Sequence, residues 1–177
     1  MSVLEIRRHA ERADRGDEGS ALSPSGRVMA QALAKTVGRY GLVVSSPLPR
    51  AKETALLIAG RLDAVDPGLL PEMGGAIGDR LYGEMRTLAD WQRLLGERDE
   101  ARHFADEQLA AWARLAGRAD ERDRVLAVSH GGIIELPALA LAERLRTPLA
   151  GAVFGYCEGV RVEYAKGAPT KLDVLRL

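Results

Sequence analysis

Two adjacent residues near the start of the chain, Arg8 and His9, are of types that can act together on an anionic group. They follow residues 3–7, where Leu4 and Ile6 alternate with polar residues as in a short strand. In an open α/β sheet, ligands bind beyond the carboxyl ends of the strands. A guanidinium there can hold an anion while an imidazole nitrogen attacks it as a nucleophile. A surface pair would give the same two letters, so the assignment depends on the rest of the chain.

A second candidate segment follows the apolar run at residues 42–44, which is typical of a buried parallel strand. Ser45 and Ser46 come directly after this run, and a helix is predicted to begin near Pro49. Arg50 then lies in the first turn of that helix, where a cation opposes the helix dipole. The position is unfavourable unless an anion lies nearby, so it hints at a ligand.

The third candidate segment is the apolar run at residues 124–129, which continues into His130 and two glycines. The glycines permit a tight turn and a close approach of the backbone to a ligand. The ends of parallel strands meet at one edge of a sheet. We therefore expect Arg8, Arg50 and His130 to surround the imidazole of His9.

Strands and helices alternate along the chain, which predicts an α/β fold. A helix capped by Ser23 is predicted to end at Gly41, with an apolar stripe at Met29, Leu33, Val37 and Tyr40. A short strand within residues 62–70 and a long loop at residues 71–85 should follow, and then two helices marked by Trp91 and Trp112. The last predicted elements are a helix at residues 133–145, which Pro137 should delay or kink, and strands at residues 159–165 and 171–177. No repeat or linker interrupts this order, so we expect a single domain over residues 1–177.

The composition is that of an ordinary globular protein. The chain has 177 residues, of which 25 are basic and 25 are acidic, so its formal net charge is zero. This balance gives no reason to expect nucleic acid or a membrane surface as a partner. Cys157 is the only cysteine, and the sequence has neither a signal-peptide pattern nor an apolar run of membrane-spanning length. These features favour a cytoplasmic protein.

Four ordered motifs, RRHAE, LSPSGRVMAQALA, SSPLPRAKETA and VLAVSHGG, span most of the chain. In this order they resemble the histidine phosphatase superfamily, which includes the phosphoglycerate mutase-like enzymes. The resemblance implies a three-layer α/β sandwich with a mostly parallel sheet. It also implies that His9 is the nucleophile that becomes phosphorylated and that Arg8, Arg50 and His130 bind the transferring phosphoryl group. No metal or other cofactor is expected.

The chemistry of phosphate esters agrees with these roles. Two guanidiniums can hold the equatorial oxygens of a phosphoryl group and neutralise charge that grows in the transition state. A neutral imidazole can attack in line, and a phosphohistidine intermediate replaces one difficult step with two easier ones. We interpret the chain as a phosphatase for phosphomonoesters. A small phosphorylated metabolite is the favoured substrate, since several apolar residues, Arg80 and Arg86 accompany the predicted loop.

The general acid that would protonate the leaving oxygen has three candidates. Leu70-Pro71-Glu72 resembles the acid-bearing segment of the family, although the glycine expected after it is displaced. Asp79 matches the mutase branch with Asp in place of Glu, and Glu84 is the third candidate. Glu72 is favoured because it follows the predicted strand most directly, and the absence of any catalytic acid stays open. Ala10 also departs from the family, which has glycine there most often.

Several other functions remain as alternatives or are disfavoured. A phosphoglycerate-type mutase and a protein phosphohistidine phosphatase would use the same residues, and a phosphate-binding regulatory protein could keep the pocket without catalysis. The short chain leaves little for insertions that shield a phosphoenzyme from water, which favours a phosphatase over a mutase. A metal site is disfavoured because the three histidines include His103 in a charged, solvated helix and no HExxH pattern occurs. A serine hydrolase would need a GxSxG motif, which is absent from the sequence.

Overall fold

The computed structural model describes residues 1–71, 85–118, 120 and 123–177. Within these residues, one six-stranded sheet is flanked by five α-helices. The strands are β1 Ser2–Arg8, β2 Leu42–Ser45, β3 Ala64–Val65, β4 Arg124–Ser129, β5 Gly159–Ala165 and β6 Ala168–Leu175. The helices are α1 Pro24–Ala34, α2 Pro49–Ala59, α3 Leu88–Glu97, α4 Asp99–Ala116 and α5 Glu135–Leu145.

The sheet has the order β3-β2-β4-β1-β5-β6. The four strands from β3 to β1 are parallel to one another, and the hairpin of β5 and β6 adds to β1 in the antiparallel direction. In the register, Arg8 lies opposite Ser129, and Ser45 lies opposite Val128. The carboxyl ends of β1, β2 and β4 therefore lie side by side, where the three candidate segments begin.

Helices cover both faces of the sheet and form two apolar clusters. The larger cluster packs α3, α4 and α5 against the face that includes Leu4 and Ile6, and it contains Trp91 and Trp112. The smaller cluster packs α1 and α2 against the opposite face, around Val43 and other small or β-branched residues. The predicted α/β sandwich with a mostly parallel sheet is confirmed.

Local sequence signals set several of these boundaries. Ser23 caps α1 by accepting from the backbone N–H of Gly26 at 2.9 Å, as predicted. Pro49 opens α2, which is confirmed, and α5 begins at Glu135 so that Pro137 lies in its first turn. His103 is exposed on α4 and pairs with Glu107, as expected for a solvated helix residue. Within the described residues, no helix is long and apolar enough to cross a bilayer.

Two predicted boundaries are wrong. We predicted that α1 runs to Gly41, but it ends at Ala34 because Thr36 turns the chain: its N–H and its hydroxyl both donate to Leu33 O at 2.9 Å. The last strand begins at Ala168 and not at residue 171. Lys166 and Gly167 both have positive φ, 51° and 79°, which suits a two-residue hairpin turn and lets pairing start at once.

Candidate active site

A cavity of about 690 Å³ lies beside the ends of β1, β2 and β4. It brings together Arg8, His9, Arg50 and His130, the four residues that the sequence predicts around an anion. Among the described residues, the charged and imidazole groups of the lining are Arg8, His9, Arg12, Arg15, Glu18, Arg50, His130 and Glu135. Four guanidiniums face two carboxylates in this set, so the cavity suits an anionic ligand.

His9 follows the last residue of β1, and its backbone N–H donates to Ser129 O at 2.9 Å, which fixes where the imidazole leaves the sheet. Nδ1 lies 2.6 Å from the carbonyl oxygen of Ala10. Because a carbonyl can only accept, Nδ1 carries a proton. Arg50 Nε, which can only donate, lies 3.2 Å from His9 Nε2. Both contacts therefore leave Nε2 unprotonated, with a lone pair that accepts the hydrogen bond from Arg50.

The environment of His9 keeps this imidazole neutral. Burial is the largest cause that lowers its pKa from 6.5 to about 3, and the positive charges of Arg8 and Arg50 act in the same direction. The hydrogen bond to Ala10 opposes the shift. At neutral pH, Nε2 is thus available as a nucleophile without help from a base.

Arg50 lies in the first turn of α2 and is 2% exposed. Besides its contact with His9, it donates from Nη1 to Glu18 O at 2.6 Å and from Nη2 to Glu18 Oε2 at 2.7 Å. Arg12 Nη1 donates to the other oxygen of the same carboxylate at 3.0 Å. Partial burial raises the pKa of Glu18, but the hydrogen bonds from Arg50 and Arg12 outweigh it and lower the pKa. The anion that Arg50 was expected to need is, in this structure, the Glu18 carboxylate.

Arg8 reaches the cavity from the end of β1. Its Nη1 donates to Phe154 O at 2.9 Å, and its guanidinium lies 4.6 Å from the centre of the Tyr156 ring. Its buried Nε has no hydrogen-bond partner in the described part of the chain. A Cβ built on Gly131 would lie 3.0 Å from Arg8 Cζ. The guanidinium thus packs against a backbone that only glycine leaves open.

Glu135, the first residue of α5, links two loops of the site. Its Oε2 accepts from Gly132 N at 2.7 Å, and its Oε1 accepts from Phe154 N at 3.1 Å. The carbonyl of Phe154 is the group that binds Arg8. Burial raises the pKa of Glu135, although the two backbone hydrogen bonds favour its ionised form. The carboxyl of Glu135 therefore holds Phe154, the residue whose carbonyl orients Arg8.

His130 follows β4 and packs beside His9, with ring centroids 5.1 Å apart. Its Nε2 lies 2.6 Å from Ser46 Oγ. Its buried Nδ1 has no hydrogen-bond partner among the residues that the structure describes. Burial, and then the neighbouring His9 and Arg50, lower the pKa of His130 to about 2, so this imidazole is also neutral at pH 7.

Sequence reasoning missed Arg12, Glu18 and Glu135. Arg12 and Glu18 lie in a polar loop without periodicity, which gave no signal. Glu135 did carry one, because it is an acid followed by seven apolar residues, 136–142, in the same helix.

The predicted general acids Glu72, Asp79 and Glu84 lie outside the described residues, as does Arg80. Of the two tryptophans that mark predicted helices, Trp91 lines the cavity, whereas Trp112 is buried in the larger apolar cluster. Arg86 is exposed and does not belong to the described lining. Among the described residues, the lining comes from the loops after β1, β4 and α5, from the starts of α2 and α5, from α3 and from residues 70, 71 and 85, whereas α4 contributes none.

A family model identifies the family of this chain, and solved structures share its fold. A family model described as the histidine phosphatase superfamily, branch 1, matches residues 5–174. A phosphoserine phosphatase from Entamoeba histolytica, solved with 3-phosphoglyceric acid, has 20% sequence identity and a TM-score of 0.69, with 100% of this chain and 98% of that chain covered. A mycobacterial glucosyl-3-phosphoglycerate phosphatase, solved with inorganic phosphate, has 26% identity and a TM-score of 0.54, with 98% and 95% covered.

No curated protein sequence gives a significant match to this chain. The alignments with these two solved structures nevertheless cover both chains almost completely, so the similarity extends over the whole fold and is not limited to one motif. The family model likewise spans all six strands up to Val174. The protein therefore belongs to branch 1 of the histidine phosphatase superfamily.

Proposed function

We propose that this protein hydrolyses phosphomonoesters through a phosphohistidine intermediate on His9. The observation that carries the proposal is the state of the His9 imidazole: it is neutral, with its Nδ1 proton held by Ala10 O and its Nε2 lone pair beside Arg50. The phosphatase neighbours and the family match support the same reaction class. No metal is needed for this chemistry, because guanidiniums can supply the positive charge.

In the first step, His9 Nε2 attacks phosphorus, the N–P bond forms and the bond to the ester oxygen breaks. Arg8 and Arg50 neutralise the phosphoryl oxygens, and His130 donates a hydrogen bond to one of them. The leaving alcohol takes a proton from the general acid, which we assign to Glu72. In the second step, water gives a proton to the Glu72 carboxylate and attacks phosphorus, the N–P bond breaks, and inorganic phosphate leaves as the His9 lone pair is restored.

Arg50 must change partners during this cycle. In the free protein all three of its donor nitrogens are occupied, by His9 and by the carbonyl and carboxylate of Glu18. An anionic phosphoryl oxygen is a stronger acceptor for a guanidinium than the neutral imidazole nitrogen of His9. Its arrival would therefore displace the contact to His9 Nε2 and leave that lone pair free to attack.

The cavity favours a small phosphorylated metabolite as the substrate. Its volume of about 690 Å³ is in the range of sites for small molecules. Trp91, Leu70 and Tyr156 provide apolar wall beside the guanidiniums, which would contact the part of the substrate beyond the phosphate.

The test is to supply a panel of small phosphomonoesters and to analyse the products. Free phosphate is the expected product. An isomerised phosphoester in its place would indicate a mutase. Release of phosphate from a phosphohistidine peptide, but from no metabolite, would indicate a protein phosphohistidine phosphatase. Binding of phosphate without turnover of any of these substrates would contradict an enzymatic role.

A further inference from the structure

Ser46 is a buried polar residue for which the mechanism above has no role. It follows the last residue of β2, and its backbone N–H donates to Val128 O at 3.0 Å, so the sheet fixes its position. Its side chain is fully buried, and its hydroxyl oxygen lies 2.6 Å from His130 Nε2. His130 lines the cavity and Ser46 does not, so the hydroxyl approaches the imidazole from the protein side.

The direction of this hydrogen bond follows from the neighbours of the hydroxyl. A serine hydroxyl has one proton to donate and two lone pairs. The backbone N–H of Leu48 donates to Ser46 Oγ at 3.4 Å. In the described part of the chain, His130 Nε2 is the one acceptor that the Ser46 proton reaches. With a proton on Nε2, both the hydroxyl proton and the Nδ1 lone pair would be buried without a partner among the described residues, whereas a proton on Nδ1 leaves only that proton unpaired, and an unpaired buried group costs about 1–3 kcal/mol. The hydroxyl therefore donates to Nε2.

This direction decides where His130 carries its own proton. A neutral imidazole that accepts at Nε2 holds its single proton on Nδ1. Nδ1 is the nitrogen that is buried without a partner among the described residues. We propose that Ser46 is a positioning residue that fixes His130 as the Nδ1–H tautomer, so that an N–H donor awaits a phosphoryl oxygen. The assignment of that oxygen rests on the proposed function, whereas the tautomer itself does not.

The two histidines then have the same tautomer, but each uses a different ring nitrogen. Ala10 O accepts a hydrogen bond from the Nδ1–H of His9, which leaves the Nε2 lone pair for attack. Ser46 occupies the Nε2 lone pair of His130, which leaves the Nδ1–H for donation. The two neutral imidazoles, whose ring centroids are 5.1 Å apart, therefore have different roles. The carbonyl of Ala10 makes His9 a nucleophile, and the hydroxyl of Ser46 makes His130 a hydrogen-bond donor.

The direct test is the nitrogen-15 NMR spectrum of the imidazole rings in the free protein. The chain has three histidines, so His9→Ala and His103→Gln variants assign the His130 signals. We expect a protonated Nδ1 and an unprotonated Nε2 for His130, and a shift of the Nδ1–H resonance when inorganic phosphate is added. A proton on Nε2 would overturn the proposal, whether or not the protein hydrolyses any phosphomonoester.

Kinetics of three serine variants give the second readout. Ser46→Ala removes the donor and should lower kcat/KM about tenfold, the size that one hydrogen bond contributes, while the His130 spectrum changes to a mixture of tautomers. Ser46→Thr keeps the hydroxyl and should restore both. Ser45→Ala is the matched control, because Ser45 is equally buried but donates to Ser46 O at 2.9 Å.

An unchanged His130 tautomer together with full activity in Ser46→Ala would refute the role of Ser46. If Ser46→Ala fails to fold, the spectrum of the natural protein still decides the matter. A natural protein without turnover but with the expected spectrum would reject the proposed function and leave the tautomer assignment standing.

Discussion

The reactivity of the site depends on which acceptors each guanidinium holds. Each nitrogen of Arg50 already has a partner, in His9 or Glu18, whereas the buried Nε of Arg8 has none among the described residues. The side chain of Glu18 is 67% exposed, so its ion pair with Arg50 forms at the edge of solvent and is weak. Glu18 is therefore a displaceable anion in the place where a substrate must bind.

Replacing Glu18 by Gln should lower KM. The variant removes the charge that competes for Arg50 and Arg12, and an exposed ion pair contributes about 0.2–1 kcal/mol, so we expect KM to fall roughly two- to fivefold with little change in kcat. Steady-state kinetics with a small phosphomonoester give both constants. Asp17→Asn is the control, because Asp17 lies in the same loop and accepts from Gly19 N instead of an arginine. A large fall in kcat would mean that Glu18 orients Arg50 and does not compete with the substrate.

At this scale the sequence predicts the residues that follow buried strands and misses those that depend on a loop. Arg8, His9, Arg50 and His130 could be found because an apolar run marks the strand end before each of them. The contact of Glu18 with Arg50 could not, because it depends on the path of an irregular polar loop. Ser46 was visible at its strand end, but its partner lies 84 residues further along the chain.

The turn between β4 and α5 is the element that holds Arg8. Gly132 has a φ of 85°, which only glycine adopts readily, and Gly131 contacts the Arg8 guanidinium so closely that a Cβ would lie 3.0 Å from Cζ. The sequence predicted a close approach of this backbone to a ligand. The structure adds that the backbone also approaches the side chain that would bind the ligand.

Gly131→Ala should therefore displace Arg8 and lower activity without unfolding the protein. We expect kcat/KM to fall by about tenfold or more, since a catalytic group that moves by about 1 Å can lose up to 100-fold. The control is Gly96→Ala in the exposed part of α3, where a Cβ meets nothing within 4 Å. It should keep full activity and gain up to about 1 kcal/mol of stability. Equal activity of the two variants would contradict the role of the turn.

Strand β1 has a second specialised position at Glu5, which is fully buried. Its Oε2 accepts from Arg7 Nη2 at 3.1 Å and from the Tyr40 hydroxyl at 2.8 Å. Its Oε1 accepts from Arg161 Nη2 at 2.9 Å and also from Arg124. Although burial alone would raise it, these partners lower the pKa of Glu5 to about 2. The network joins β1, β4, β5 and the segment after α1.

Glu5→Gln should destabilise the fold markedly, because it leaves the buried guanidinium of Arg7 and the partly buried ones of Arg124 and Arg161 without their carboxylate. We expect the free energy of unfolding to fall by about 3–5 kcal/mol in urea denaturation. Glu163→Gln on β5 removes only a surface pair with Lys171 and should change stability by about 0.5 kcal/mol or less. A similar small effect in both variants would contradict a structural role for the network.

Over the whole molecule, the acid stability of the fold depends on its buried titratable groups. The pKa values of His9 and His130 fall from 6.5 to about 3 and about 2, so the unfolded chain binds more protons than the native protein between these values. Stability must then fall as the pH falls below about 6.5, and Glu5 adds to the loss below 4.5. Glu135, whose pKa is raised, acts in the opposite direction.

We expect the free energy of unfolding to decrease between pH 7 and pH 4, with each imidazole contributing up to about 1.4 kcal/mol per pH unit. Urea denaturation at several pH values measures the slope. His130→Ala should reduce the slope, whereas His103→Gln, which changes an exposed histidine, should leave it intact. A slope that is the same in the natural protein and in His130→Ala would show that the buried imidazole does not govern acid stability.

The architecture was predictable because buried strands and amphipathic helices leave distinct periods in the sequence. The ends of the elements were less predictable from the sequence. The hydroxyl of Thr36 ends α1 early, and the Lys166-Gly167 turn starts β6 early. Both effects come from local backbone structure that apolar periodicity does not report. The site was predictable to the extent that parallel strands bring their ends together. Its side walls were not, because Trp91 and Trp112 have the same helical pattern and only one of them lines the cavity.

The central claim is that His9 carries the phosphoryl group during turnover. Mixing the protein with a phosphomonoester that contains labelled phosphorus, quenching in alkali and mapping the label tests it directly. We expect an acid-labile, base-stable label on His9 that is lost in His9→Ala and retained in His103→Gln. Label on another residue, or undiminished turnover by His9→Ala, would contradict it.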